Sequence, residues 1–242
     1  MHPKGILISY DHPSNADSIR GSGILFNSGL ILTNGAILIP LIHIPSQKRW
    51  LKTFSKSLSN KLESNNHIHS YVKFRAYEEF TKENSDDKTE EHKLVPLGND
   101  ISVIGAWKCP FVSRSLNLFH DWTLGDVTRG NESNIETNID IDMSKELMSI
   151  FILLKTDRFD EKKINNNNPV NLSEIFLCLT EPLRGQDVLI ESTPFGSELF
   201  LNSLSRGIVS NVVGNQRCLI LTDARTVVGC EGGPIFAIDH LR

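Results

Sequence analysis

An all-β fold is what this sequence predicts, and three runs in its last quarter carry that expectation. They read VLIESTPFG at 188–196, SLSRGIVSNVVG at 203–214 and CLILTDARTVVGCEGGPIF at 218–236. Each is a short apolar run rich in Val, Ile and Leu and closed by Gly, Pro or Asn, the pattern of antiparallel strands joined by tight turns. Earlier in the chain, residues 4–10 alternate loosely enough for a first strand. Residues 22–26 and 30–34 then form a hairpin that reverses at Asn27-Ser28-Gly29, where Asn and Gly supply the backbone conformations a tight turn needs. Strand-like pieces return at 101–107, at 146–155 (ELMSIFILLK, the densest apolar run of the first part), at 176–180 and at 188–191.

With 242 residues and 27.1 kDa, the chain can form one large domain or two small β-barrels. A net charge of -4 and a pI near 6.1 give no basic field, so no nucleic-acid partner is expected. No run approaches the roughly 20 apolar residues that span a bilayer, and the apolar run at 5–10 is too short for a signal-peptide core. No membrane partner is expected. Cys109, Cys178, Cys218 and Cys230 lack both metal-site spacing and the density of a disulfide scaffold, which favours reduced thiols inside the cell.

Two stretches, 46–93 and 127–142, are polar enough to be insertions. Residues 83–93 hold almost no apolar side chain and are expected to be mobile, because they cannot offset their own ordering entropy. Residues 48–61 are basic, with Trp50 and Phe54 interleaved; the solvated face of a short helix outweighs a nucleic-acid or membrane patch there. His67 and His69 would share one side of a strand, but no carboxylate or thiol completes a metal set, so no metal is expected, nor any other cofactor.

Three ordered motifs narrow the class. Pro194-Phe195-Gly196, Gly207-Ile208-Val209-Ser210 and Thr222-Asp223-Ala224 precede Gly229-Cys230-Glu231-Gly232-Gly233-Pro234. This order resembles the trypsin-like serine proteases of the HtrA branch, and the fuller string from 194 to 233 is similar to the N-terminal half of the peroxisomal leader-peptide-processing members of that family. The resemblance is strong over 186–236, fair over 21–39 and thin between them. It implies a trypsin-like double β-barrel with long polar insertions: a first barrel over 1–157, a connector over 158–170 and a second barrel over 171–242 that lacks its closing strands.

The resemblance also locates three catalytic positions, and none holds the residue the chemistry needs. The turn that carries the nucleophilic serine has Glu231 there, where a carboxylate would repel a developing oxyanion. The hairpin that ends in the catalytic histidine has Leu32-Thr33-Asn34-Gly35-Ala36, which puts Ala36 at that position. The strand that carries the orienting aspartate, registered on Leu154-Lys155, puts Ile150 there with Ser149 beside it. His43 is too far along, past Pro40, to replace the histidine. Cys230 sits one residue early and has no histidine to activate its thiol.

The resemblance therefore implies the N-terminal, degenerate segment of a serine endopeptidase that removes leader peptides from peroxisomal precursor proteins, with self-association as a further expectation. The alternative is a free-standing pseudoprotease that binds peptides along exposed barrel edges. Family members enter the peroxisomal matrix through a Ser-Lys-Leu-type tripeptide; this chain ends Asp239-His240-Leu241-Arg242, which leaves a cytoplasmic location as the alternative.

Overall fold

Six consecutive buried residues make β1 (Lys4–Asp11) a strand covered on both faces, and it is the centre from which the first sheet grows. In the computed structural model, which describes residues 3–11, 18–63, 71–83, 90–119, 135–159 and 172–238, β1 pairs antiparallel with β2 (Ser18–Leu25) on one side. On the other side it pairs with β4 (Phe74–Glu83). The expected hairpin is present: β2 reverses into β3 (Leu30–Asn34) with Ile24 opposite Leu32, and Gly29 takes the positive φ of 78° the turn demands. Adding β5 (Glu90–Pro96), β6 (Ile101–Lys108) and β7 (Ile150–Thr156) gives an antiparallel seven-stranded sheet in the order β5-β4-β1-β2-β3-β7-β6.

Helical segments cover one side of this sheet. A 3₁₀ segment (Gly35–His43) follows β3 directly, and Asn34 starts it: its Oδ1 accepts the Ala36 N–H at 2.8 Å, while its Nδ2 donates to the Met148 carbonyl at 2.9 Å. Helix α1 (Pro45–Ser57) begins with Pro at its first turn and buries Trp50, Leu51 and Phe54; Lys52 and Lys56 are exposed, and half-buried Lys48 pairs with Asp140 at 2.5 Å. Trp50 stacks on Phe54 at 5.5 Å and on Tyr71 at 4.8 Å. The short helix expected over 48–61 is therefore real, but its aromatic side chains belong to the core rather than to a surface patch. A short helix α2 (Pro110–Ser115) follows β6, and α3 (Ile135–Met148) packs on the 3₁₀ segment and leads into β7. The core these elements enclose includes Ile8, Ile31, Leu38, Leu41, Leu147 and Ile152, each at most 1% exposed.

Several sequence expectations change here. Residues 90–93, placed in a mobile stretch, pair with β4 as part of β5, because ladder hydrogen bonds order a backbone even where few apolar side chains are available. Residues 84–89, His67, His69, most of the 158–170 connector and residues 120–134 lie outside the described residues. The run 146–155 is not one strand: its first residues end α3 and β7 starts at Ile150. Residues 176–180 are not a strand either. Phe176 and Leu177 end a helix α4 (Ser173–Leu177) and are 67% and 85% exposed.

The second sheet comes from the three runs that first suggested β structure. Strands β8 (Asp187–Ser192), β9 (Ser203–Val213), β10 (Leu219–Thr222) and β11 (Ile235–Ile238) pair antiparallel in the order β10-β9-β8-β11. Val188, Ile190 and Ser192 alternate inward along β8.

The chain is thus strand-dominated, with two antiparallel sheets, but among the described residues neither sheet closes into the expected barrel. The open edges of the first sheet are managed in two ways. Strand β5 carries the sequence EEHKLVP, with Pro96 as its last residue. Strand β6 is covered by the segment after α1, where Glu63 and Ala106 exchange N–H···O bonds of 3.1 Å and Lys108 N–H donates to the Ser59 carbonyl at 2.8 Å.

Helix α4 is fastened to the first sheet through one carboxylate. Glu174 accepts the N–H groups of Asn27 and Ser28 at 2.7 and 3.0 Å, straddling the β2–β3 turn. Partial burial alone would raise its pKa, but the hydrogen bonds from Ser28 and Asn27 together outweigh it and hold the carboxyl below its ordinary value. A lowered folded-state pKa means the contact stabilises above the unfolded-state pKa and is lost as pH falls through the folded one. Protection of the Asn27 and Ser28 amides, measured against the unstructured-chain exchange rate at each pH, should therefore fall on acidification through that range, and Glu174→Gln should flatten that dependence.

Candidate functional site

The two sheets meet where the turn after β10 folds back onto β2. Ser22, fully buried in β2, is the hinge pin of this junction. Its Oγ donates to the Gly229 carbonyl at 2.7 Å and accepts the Thr193 N–H at 2.9 Å, and its backbone N–H donates to the Glu231 carbonyl at 3.2 Å. Thr33 in β3 donates to the Ser22 carbonyl at 2.9 Å. One small hydroxyl residue thus ties the first sheet, the loop after β8 and the 229–234 turn together. The only trace of this in the sequence is a serine inside the apolar run GSGILF.

The glycines of the turn are dictated by contact as well as conformation. Gly229 and Gly232 have φ of +95° and +89°. A Cβ on Gly232 would lie 2.4 Å from the Ser22 carbonyl oxygen, and one on Gly229 would lie 2.6 Å from the Gly196 nitrogen. Cys230 N–H donates to the Val227 carbonyl, and Gly233 N–H to the Cys230 carbonyl, both at 3.1 Å. The Pro-Phe-Gly motif joins in: Phe195 N–H donates to the Val228 carbonyl at 2.6 Å. Motifs that are separate in sequence form one packed corner.

Within that corner Glu231 points its carboxylate back along the turn. Its Oε2 accepts the Gly229 N–H at 2.6 Å, a short charge-assisted bond. Two cavities of about 340 and 320 Å³ lie on either side of this carboxylate, and Ala36, Met148 and Glu231 line both. Ala36 and Glu231, predicted from different halves of the chain, are brought to one place. Ile150 lies behind them, 0% exposed: a Cβ added to Gly35, next to Ala36, would meet the Ile150 Cβ at 2.9 Å. Ala36 and Glu231 therefore share the corner, whereas Ile150 lies in the core against Gly35 and lines neither cavity.

The other polar side chains at the cavities have partners within the chain, Arg20 through an exposed ion pair. Ser144 donates to the Asp140 carbonyl at 2.8 Å, and Thr33 to Ser22 as above. Arg20 pairs with Glu198 at 3.0 Å. His43 is exposed at the end of the 3₁₀ segment and lines neither cavity, and Cys230 lines neither. Neither lining hydroxyl, Ser144 or Thr33, is hydrogen-bonded to a histidine or carboxylate side chain, the pairing that commonly activates a nucleophile. Among the described residues no group of three His, Cys, Asp or Glu side chains could hold a metal ion.

Comparison with known proteins gives a partial likeness. The chain is 47% identical over 58 residues to the peroxisomal leader peptide-processing protease of Mus musculus, and 46% identical over 56 residues to that of Homo sapiens. The alignments take in 23% and 22% of this chain but 10% and 9% of those proteins, so the likeness spans about a tenth of the curated relatives. No family model matches. Among solved structures, Deg5 aligns over 98% of this chain and 75% of its own, at 15% identity and a TM-score of 0.38. The Rv3671c protease of M. tuberculosis, in its active form, aligns over 98% of this chain and 66% of its own, at 10% identity and a TM-score of 0.36.

Proposed function

We propose that this chain is a non-catalytic, trypsin-like segment of a serine endopeptidase that processes peroxisomal precursor proteins, and that it works in the peroxisomal matrix as a support for chemistry carried elsewhere in that enzyme. The observation behind the reading is the corner itself. Ala36 and Glu231, read as the family's histidine and serine positions, line the same two cavities, and the Glu231 carboxylate sits on the Gly229 N–H. A donor occupied by a carboxylate presents negative charge where an oxyanion would develop, which disfavours that intermediate. Loss of every triad member removes the acyl-transfer pathway and leaves binding alone. The 47% likeness to processing proteases supports the biological setting.

A second reading, a peptide-binding module, draws on the edge strand β11, whose Ile235 is 46% exposed. Both readings agree on catalysis. The purified chain should hydrolyse a fluorogenic peptide carrying a leader-peptide cleavage sequence no faster than buffer, and Cys230→Ala should change nothing. Turnover by the native chain that disappears in Cys230→Ala would instead establish a cysteine peptidase.

A further inference from the structure

We infer that the Gly229 N–H and the cavity beside it form a binding site for a carboxylate carried on an apolar chain, and that Glu231 is the latch that closes it. The inference rests on geometry alone and holds whichever reading of the function is correct. The site demonstrates its own preference, because the group found on the Gly229 N–H is a carboxylate at 2.6 Å. That carboxylate is supplied by a surface residue, since Glu231 is exposed. An exposed side chain held by this bond can rotate into water at modest cost, which exchanges one set of hydrogen bonds for another.

What opens beneath it suits a particular ligand. The cavity of about 340 Å³ is walled by Ile19, Ile37, Ile39 and Val228, so it takes an aliphatic chain. At its rim lies Arg20, whose partner Glu198 is itself mostly exposed, with 57% of its side chain accessible. Exposed ion pairs of this kind hold weakly, so the guanidinium is available to a second carboxylate at little cost. A backbone N–H, a guanidinium and an apolar pocket together describe a short-chain carboxylic acid or the C-terminus of a peptide ending in an aliphatic residue. Glu231 competes with either from two residues away in the same turn, at the high effective concentration of a tethered group.

The test is to titrate the ¹⁵N-labelled chain with hexanoate and, separately, with N-acetyl-Val-Leu, following the Gly229 amide resonance. Glu231→Ala should bind at least one of the two about tenfold more tightly than the native chain. Response to hexanoate assigns the site to free acids as well as peptides, and response to the dipeptide alone assigns it to peptide C-termini. Glu231→Gln separates the latch from simple charge: its amide oxygen can still accept the Gly229 N–H, so its binding should stay near the native level. Glu231→Ser serves as a second opened variant if Glu231→Ala does not give a folded amide spectrum. The inference is overturned if the opened variants bind neither probe, if they bind no better than the native chain, or if Glu231→Gln gains as much as Glu231→Ala.

Discussion

Ile150→Asp should destabilise the chain by about 3–5 kcal/mol, the range for an uncompensated buried charge. Ile150 is 0% exposed at the start of β7, packed against Gly35 and enclosed by Leu147 and its neighbours. An aspartate there would have to be desolvated or protonated on folding, since Ala36 offers no imidazole to share its charge. Against a total stability of roughly 5–15 kcal/mol, that loss leaves a large unfolded fraction. Urea denaturation measures it as a shift in midpoint at unchanged slope. Ile150→Val is the control for packing and should cost only about 1 kcal/mol. If the two variants lose the same amount, the position is more polar or more open than the structure has it.

Ser22→Ala should cost about 2–4 kcal/mol, out of proportion to the removal of one oxygen atom. The hydroxyl satisfies two buried backbone groups at once, the Gly229 carbonyl and the Thr193 N–H, and alanine leaves both without a partner. Each orphaned group costs about 1–3 kcal/mol, and the loss falls on the junction between the sheets. Hydrogen exchange at Thr193 is the local readout and should rise much more than exchange in β1. A uniform rise across both sheets would show that Ser22 contributes to global stability without acting as a specific pin between them.

How far the sequence discloses this molecule depends on whether the relevant signal is local. The β2–β3 hairpin and the strands of the second sheet are legible because turn chemistry at Asn27-Ser28-Gly29 and at the later glycines is encoded within a few residues. Helix α1 is legible as a helix but not as core: polar positions around Trp50, Leu51 and Phe54 dominate its composition, while those three buried apolar side chains, with buried Ser55, set its role. The run ELMSIFILLK misleads because apolar periodicity cannot divide a short continuous run between helix and strand; the break falls at Ser149, whose hydroxyl donates to the Glu146 carbonyl at 2.6 Å and closes the helix. At the site, motif alignment names Ala36, Ile150 and Glu231; the fold brings Ala36 and Glu231 to the same cavities and leaves Ile150 in the core against Gly35. The Glu231 carboxylate on the Gly229 N–H and the role of Ser22 are invisible to it, because both are contacts between groups whose chemistry is ordinary until the chain is folded.

The most direct test of the proposal that this corner lacks catalytic competence is to place a hydroxyl at position 231 and change nothing else. Glu231→Ser places a serine in the intact turn and frees the Gly229 N–H, so a serine-directed fluorophosphonate probe will find any base the site possesses. With alanine at position 36 the variant should remain unlabelled and should hydrolyse no peptide, like the native chain. Rapid covalent labelling at residue 231 would contradict the account, since it would require a functioning general base at this corner.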